Sequence, residues 1–451
     1  MVRIHEFVDE GLGHSSYVID LADGTGAVID PPRFPTSQEA LVEREHLELR
    51  WTIDTHSHAD YVTGSPGLGA RTHATFVAPG ASRLETPHRA VSDGERVALS
   101  ASVAIVAIAT PGHTPDHHAY LLEEDGRPVG LFTGGSLMVG TVGRTDLCGP
   151  ELAVPLAHEM FRSLRRFDDL PDELTVYPTH GAGSFCSAPG AAERISTLGR
   201  ERRTNPLLLE PSEDAFVEHL VAGFGTFPSY FARLPELNRR GPRRYDSLPV
   251  LDRLGADEIE AQIAAGAQVV DVRPFVAFGA GHIAGSLSNT LRPVFASWLG
   301  WLVDPGRPLV FVLGDDQDRG ELVRRCLDIG HERLVGELDG GIDAWTASGR
   351  GLATIPIVDI AGLVPPVLDV RQANEYAAGH VPGAINVEVA AVPGAAGALP
   401  AGALTVMCGH GERAMTAASL LVAGGNHQVS VFAGGPDTWS AASGRALDVS
   451  P

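Results

Sequence analysis

No lysine occurs anywhere in the 451 residues, so all 34 basic side chains are arginines. Schiff-base chemistry, which needs an amine, and the phosphate loop GxxxxGK[ST] are thereby excluded. Positive charge is scarce altogether: 34 arginines face 56 acidic residues, a formal net charge of -22. Such a surface repels polyanions, so neither nucleic acid nor an anionic membrane is an expected partner. Cysteine is sparse as well. Cys148, Cys186, Cys326 and Cys408 are far apart and form no CxxC pair, which predicts free thiols in a reducing compartment and no disulfide framework. Apolar runs stay far below the roughly 18 residues of a membrane span; the longest candidate, ASVAIVAIAT, is strand-sized. The start MVRIHEF lacks the basic-then-apolar pattern of a secretory signal, and a cytoplasmic location is expected.

What is present is length and repetition. A prior of roughly 100 to 200 residues per domain predicts two to four domains. VVDVRPFVAFGAGHIAGSLSN (269–289) matches VLDVRQANEYAAGHVPGAIN (367–386), pairing Asp271 with Asp369 and His282 with His380 at an offset of 98. LDGGIDAW and FAGGPDTW pair Trp345 with Trp439 at an offset of 94. Two copies of one α/β domain follow, 250–352 and 356–451, behind an N-terminal domain of 1–240. The Arg-, Gly- and Pro-rich stretch 237–249 reads as the linker. In each copy short apolar strands alternate with apolar-periodic helices, which predicts parallel sheets receiving ligands at the strands' carboxyl ends.

In the second copy the strand LTVM ends in CGHGERA. Cys408 thus sits at a strand end, followed by Gly409, His410, Gly411 and Glu412, with Arg413 entering the next helix. Amides curled around the sulfur, a helix N-terminus and an arginine all favour thiolate, the nucleophilic form, and would equally hold a persulfide. Aligning Arg319 with Arg413 places Gly314 opposite Cys408, in a loop LGDDQDR that has no nucleophile and three aspartates; copy one is expected to be catalytically silent. The paired motifs, the Cys-x-x-Gly-x-Arg loop and the closing GGPDTW resemble the rhodanese family. With four residues between Cys408 and Arg413, the resemblance implies sulfur transfer to or from thiosulfate, sulfite or a thiol, with Cys408 and Arg413 as the catalytic pair.

The N-terminal part offers histidines at the ends of several strands: His56 and His58 in DTHSHADYVTG, His113 in TPGHTPDHH, and His180 in YPTHGAGSFC. Residues so placed converge on a point, which is how a metal is gripped. These segments, with GHSSYVID, AVIDPP and FTGGSLMVGTVGRTDL, resemble the metallo-β-lactamase superfold and, within it, the persulfide dioxygenases, over residues 10–190. The resemblance implies an N-terminal αββα sandwich ahead of two rhodanese-like α/β domains with parallel sheets. It implies a mononuclear Fe(II) on two histidines, His56 and His113, and one aspartate, oxidising a low-molecular-weight persulfide to sulfite.

The sequence departs from that pattern at two points. Gly135 stands where the carboxylate is expected, and Tyr61 where a further histidine is common. The expected site is therefore His56 and His113, supplemented by His58 or Asp60, binding iron weakly or not at all, with zinc as the alternative metal. Arg144, Tyr61, His180 and Cys186 are the candidate substrate-binding residues. The alternatives are a metal-dependent hydrolase of the same superfold and a sulfur-binding sensor without catalysis. A homodimer is the expected assembly.

Overall fold

The structure is a computed structural model, and it describes residues 1–186, 193–426 and 428–450. It divides into two compact units: Met1–Ser247 with Cys326–Gly330, and Leu248–Arg325 with His331–Pro451.

The first unit contains two six-stranded sheets. One carries Arg3–Asp9, His14–Asp20, Thr25–Ile29, Glu48–Ile53, Thr75–Pro79 and Arg89–Val91; the other carries Ser196–Thr197, Thr175–Pro178, Arg127–Gly134, His118–Glu124, Val103–Ala109 and Arg96–Ala98. Alternation along the strands dictates the layering, because successive side chains leave opposite faces. Tyr17, Ile19, Ile29 and Ile53 of the first sheet meet Ile105, Tyr120, Leu122 and Phe132 of the second in one buried core. Their neighbours face outward to helices. Val18, Val28 and Leu49 pack with Leu41 and Leu68, whereas Leu121, Leu131 and Val176 pack with Met160, Leu164 and Phe216. Helix, sheet, sheet and helix thus form the expected sandwich.

The second unit holds two five-stranded parallel sheets of identical order. Arg253–Leu254, Leu334–Leu338, Leu309–Val312, Gln268–Asp271 and Leu287–Ser288 form the first; Ile357–Val358, Val429–Phe432, Leu404–Met407, Val367–Asp369 and Ile385–Asn386 form the second. The repeated residues do the same work in both. Arg273 bonds Asp271 through Nε (2.9 Å) and Nη2 (2.6 Å) and donates to the Gly281 carbonyl. Arg371 does likewise with Asp369 (3.0 and 2.7 Å) and Gly379. His282 and His380 each donate Nδ1–H to a carbonyl four residues back and stack on the ring at that position, Phe278 or Tyr376. The DVR and GH motifs are structural clasps.

The stretch read as a linker begins inside a helix, Leu234–Arg240. Its Asn238 is buried, donating to the His58 and Tyr61 carbonyls and accepting from Thr63 N–H. Residues 237–240 therefore belong to the first unit, where they brace the histidine loop.

Candidate functional site

In the first unit every candidate ligand follows a strand of the sandwich. His56 and His58 come after Glu48–Ile53, His113 after Val103–Ala109 and His180 after Thr175–Pro178. Asp30 ties two of these loops together. It accepts Thr55 N–H (2.7 Å) and Thr55 Oγ1–H (2.8 Å), and also the hydroxyl of Thr179. Tyr230, in the aromatic segment near the unit's end, donates to the Asp60 carbonyl (3.1 Å) and so backs the same loop.

His56, His113 and His180 converge, with one ligand nitrogen from each within 4.8 Å of the others. The Nε2 atoms of His56 and His180 are 3.3 Å apart. Two nitrogens held about 2.1 Å from one ion at right-angled to tetrahedral geometry lie about 3.0 to 3.4 Å apart, so this spacing fits a shared cation. His113 donates Nδ1–H to the Arg144 carbonyl (2.8 Å), leaving a buried Nε2 without a partner. Burial lowers its pKa to about 3, aided by His180. Burial, then the neighbouring imidazoles, hold His56 well below the ordinary histidine value. Neutral imidazoles with free lone pairs are what a divalent transition metal binds.

His180 is therefore a candidate ligand, a role the sequence reading gave to His58 or Asp60. His58 Nε2 instead faces Asp30 Oδ1 (3.2 Å) and Tyr61 Oη (3.0 Å). Burial opposes its charge, but the Asp30 carboxylate outweighs burial and raises its pKa. Asp60 pairs with His180 Nδ1 at 3.2 Å. Despite burial it is held well below the usual carboxylate range, mainly by His180. A carboxylate behind a ligating imidazole fixes the ring and raises its basicity. His58, Asp60 and His180 also form a second, overlapping cluster. Tyr61 is stacked between His14 (4.1 Å) and His58 (4.4 Å), so its ring packs the histidine layer.

Gly135 does more than omit a carboxylate. A Cβ at this position would lie 2.2 Å from His113 Cδ2, and the Gly135 amide donates to His117 Nε2 (2.8 Å). The third side of the centre is filled by imidazoles. His117, like His14, went unremarked in the sequence because neither occupies a recognised ligand position.

Arg144 differs from its expected role. It is buried, grips Asp146 with two bonds (2.7 and 2.8 Å), donates to the Phe185 and Gly225 carbonyls and lies over Phe224 and Phe227. With its donors so engaged it braces the pocket wall and is not a free anion receptor. Cys186 is fully buried; burial raises its thiol pKa well above the usual value, reinforced by Asp60.

In the second unit, the strand Leu404–Met407 delivers Cys408 to a loop whose Gly411 amide donates to Sγ at 3.1 Å. Gly411 has φ +112°, a left-handed conformation that favours glycine, and opens the helix Glu412–Ala423. Among the described residues this is the one amide that reaches the sulfur, fewer than the expected ring. Arg413 forms a two-bond pair with Glu375 (2.6 and 2.8 Å). Burial would raise the Glu375 pKa, but Arg413 overrides it and lowers the value. In copy one, Gly314 N–H bonds Gln317, and Arg319 reaches Glu337 and the Gln317 carbonyl. That loop is closed upon its own side chains.

The rhodanese-like domain family matches residues 255–348 and 358–442. A hydroxyacylglutathione hydrolase of Methylobacterium sp. (strain 4-46) is 31% identical over 271 residues, spanning 53% of this chain and 100% of that protein. A metallo-β-lactamase from Staphylococcus aureus subsp. aureus COL superposes with TM-score 0.66 at 26% identity, covering 74% of this chain and 98% of that one. ETHE1 from Myxococcus xanthus gives TM-score 0.46 at 29% identity, covering 52% and 98%. The chain belongs to the metallo-β-lactamase-fold family that includes the hydroxyacylglutathione hydrolases, and it carries two rhodanese-like domains besides. The described residues include no helix long and apolar enough to cross a membrane.

Proposed function

We propose that the protein is a sulfane-sulfur enzyme. The observation that carries this reading is the Cys408 sulfur at a strand end, receiving the Gly411 amide at 3.1 Å. That geometry offers a small, hydrogen-bonded nucleophile in a loop of the length that the rhodanese resemblance associates with sulfur. Transfer proceeds by attack of the Cys408 thiolate on the outer sulfur of thiosulfate. A Cys–S–S bond forms, the S–S bond of thiosulfate breaks, and sulfite leaves with its electron pair. The resulting persulfide then passes its outer sulfur to a thiol.

In the same reading His56, His113 and His180 would hold a single divalent metal, iron before zinc. The metal would supply open positions for dioxygen and a low-molecular-weight persulfide. The net reaction is RSSH + O2 + H2O to RSH, sulfite and two protons. The chain's own contribution is to keep the His56 and His113 imidazoles neutral, to hold Asp60 behind His180 and to exclude water by burial. The test is metal content and oxygen uptake with glutathione persulfide for wild type and His180→Ala. About one metal per chain and oxygen uptake abolished by the substitution are expected; metal-loaded protein that consumes no oxygen refutes the oxygenase.

A second reading, hydrolysis of a glutathione thioester, is favoured by the hydrolase relative and by the overlapping cluster of His58, Asp60 and His180. Two metals per chain together with cleavage of an S-acylglutathione would establish it.

A further inference from the structure

The two rhodanese-like copies meet at the Cys408 loop. Phe275 of copy one lies against Gly411, where a Cβ would sit 2.7 Å from its ring. Phe278 of copy one is buried in the same cluster as Cys408 and Met415, with Trp298 and Leu302 packed on it. Ser288 N–H donates to Ser419 Oγ of the helix that starts at the loop (3.2 Å). Beyond Ser288, the chain is pinned by Leu291 N–H on the Val272 carbonyl (2.9 Å) and by Asn289 on the Phe295 carbonyl (3.1 Å). Arg292 follows directly on this stretch, on the side of copy one whose Phe275 lies against Gly411, and it feels the charges of Glu412, Cys408 and Arg413. Arg292 is partly buried and forms no ion pair with a described residue.

Charge makes that position matter. Thiosulfate is a dianion approaching a thiolate, with Glu412 at the helix start. Arg413, the cation of the motif, is held in a two-bond pair with Glu375, so it offers little net charge to a ligand. An anion entering here needs a further cation, and a guanidinium suits a sulfonate group through paired N–H donors.

We infer that Arg292, contributed by the copy that lacks a cysteine, is the residue that positions the sulfonate end of thiosulfate, and the departing sulfite, at Cys408. The silent copy then completes the active copy's site. This rests on the sulfur-transfer reading of Cys408.

The experiment uses the full chain in thiosulfate-dependent sulfur transfer, with Cys408→Ser, Arg292→Gln and Arg292→Lys. Arg292→Gln is expected to raise KM for thiosulfate about tenfold or more with little change in kcat, and Arg292→Lys to recover most of the loss. Transfer from an uncharged organic trisulfide should be unaffected. Alkylation of Cys408 gives an independent readout: the rate with anionic iodoacetate relative to neutral iodoacetamide should fall in Arg292→Gln. Arg292→Ala substitutes if the glutamine variant does not fold. Unchanged KM and an unchanged alkylation ratio, with Cys408→Ser inactive, overturn the role of Arg292 alone. Undiminished transfer by Cys408→Ser overturns the sulfur reading and this inference together.

Discussion

The two rhodanese-like copies have the same sheet order and the same Asp–Arg and His–carbonyl clasps, yet one loop holds a thiol and the other is closed on glutamine and arginine. What the two copies share is therefore what folds the domain, and what differs is what reacts. The strongest sequence similarity between the copies marks the clasps, whereas the chemistry lies in a short loop where they differ.

The largest test of that contrast is Cys408→Ser, expected to lower sulfur transfer ~10³-fold or more, while alanine at Gly314 leaves transfer untouched; a sulfurtransferase assay decides. Next come Asp271→Ala and Asp369→Ala. Each leaves a buried guanidinium unpaired and should cost about 3–5 kcal/mol, measured by denaturant unfolding. Similar losses in both copies would sharpen the symmetry, and a neutral Asp271→Ala would break it. Gly411→Ala, which meets both a left-handed φ and the Phe275 ring, should cost about 1–3 kcal/mol. Gly314→Ala, facing only the flexible Asp316 and Gln317 side chains, should stay within about 0.5 kcal/mol.

The smallest expected effect is one of pH. Burial lowers the pKa of His282 in copy one, so the unfolded chain takes up that proton first and stability falls as pH drops below about 6.5. In copy two the lowered pKa of Glu375 makes its contribution present above about 4.5 and lost only below that. On acidification, amide protection factors, corrected for the intrinsic exchange rate at each pH, should therefore fall in copy one before copy two.

Much of this was legible in the chain. Periodicity and the repeat announced the sheets, and strand-end histidines announced a centre. His180 was legible as one of the converging strand-end histidines, but its place among the three ligands, ahead of His58 and Asp60, was not, because that depends on how the two sheets pack. Gly135 read as a lost carboxylate, although its contact with His113 is visible only in three dimensions. The partner of Arg144 lay two residues away, at Asp146, a spacing that could have warned against a substrate role. Arg292 gave no signal: it lies outside every motif, more than a hundred residues before the thiol that it approaches.

The ring of Phe278 inside the neighbouring copy's core has an evolutionary corollary. A gene trimmed to its last domain would bare the apolar face that this ring covers, and the product would be prone to clump. The cysteine-free copy thus serves as a cover for its twin, and a change along that seam should cost more than a change in its own loop.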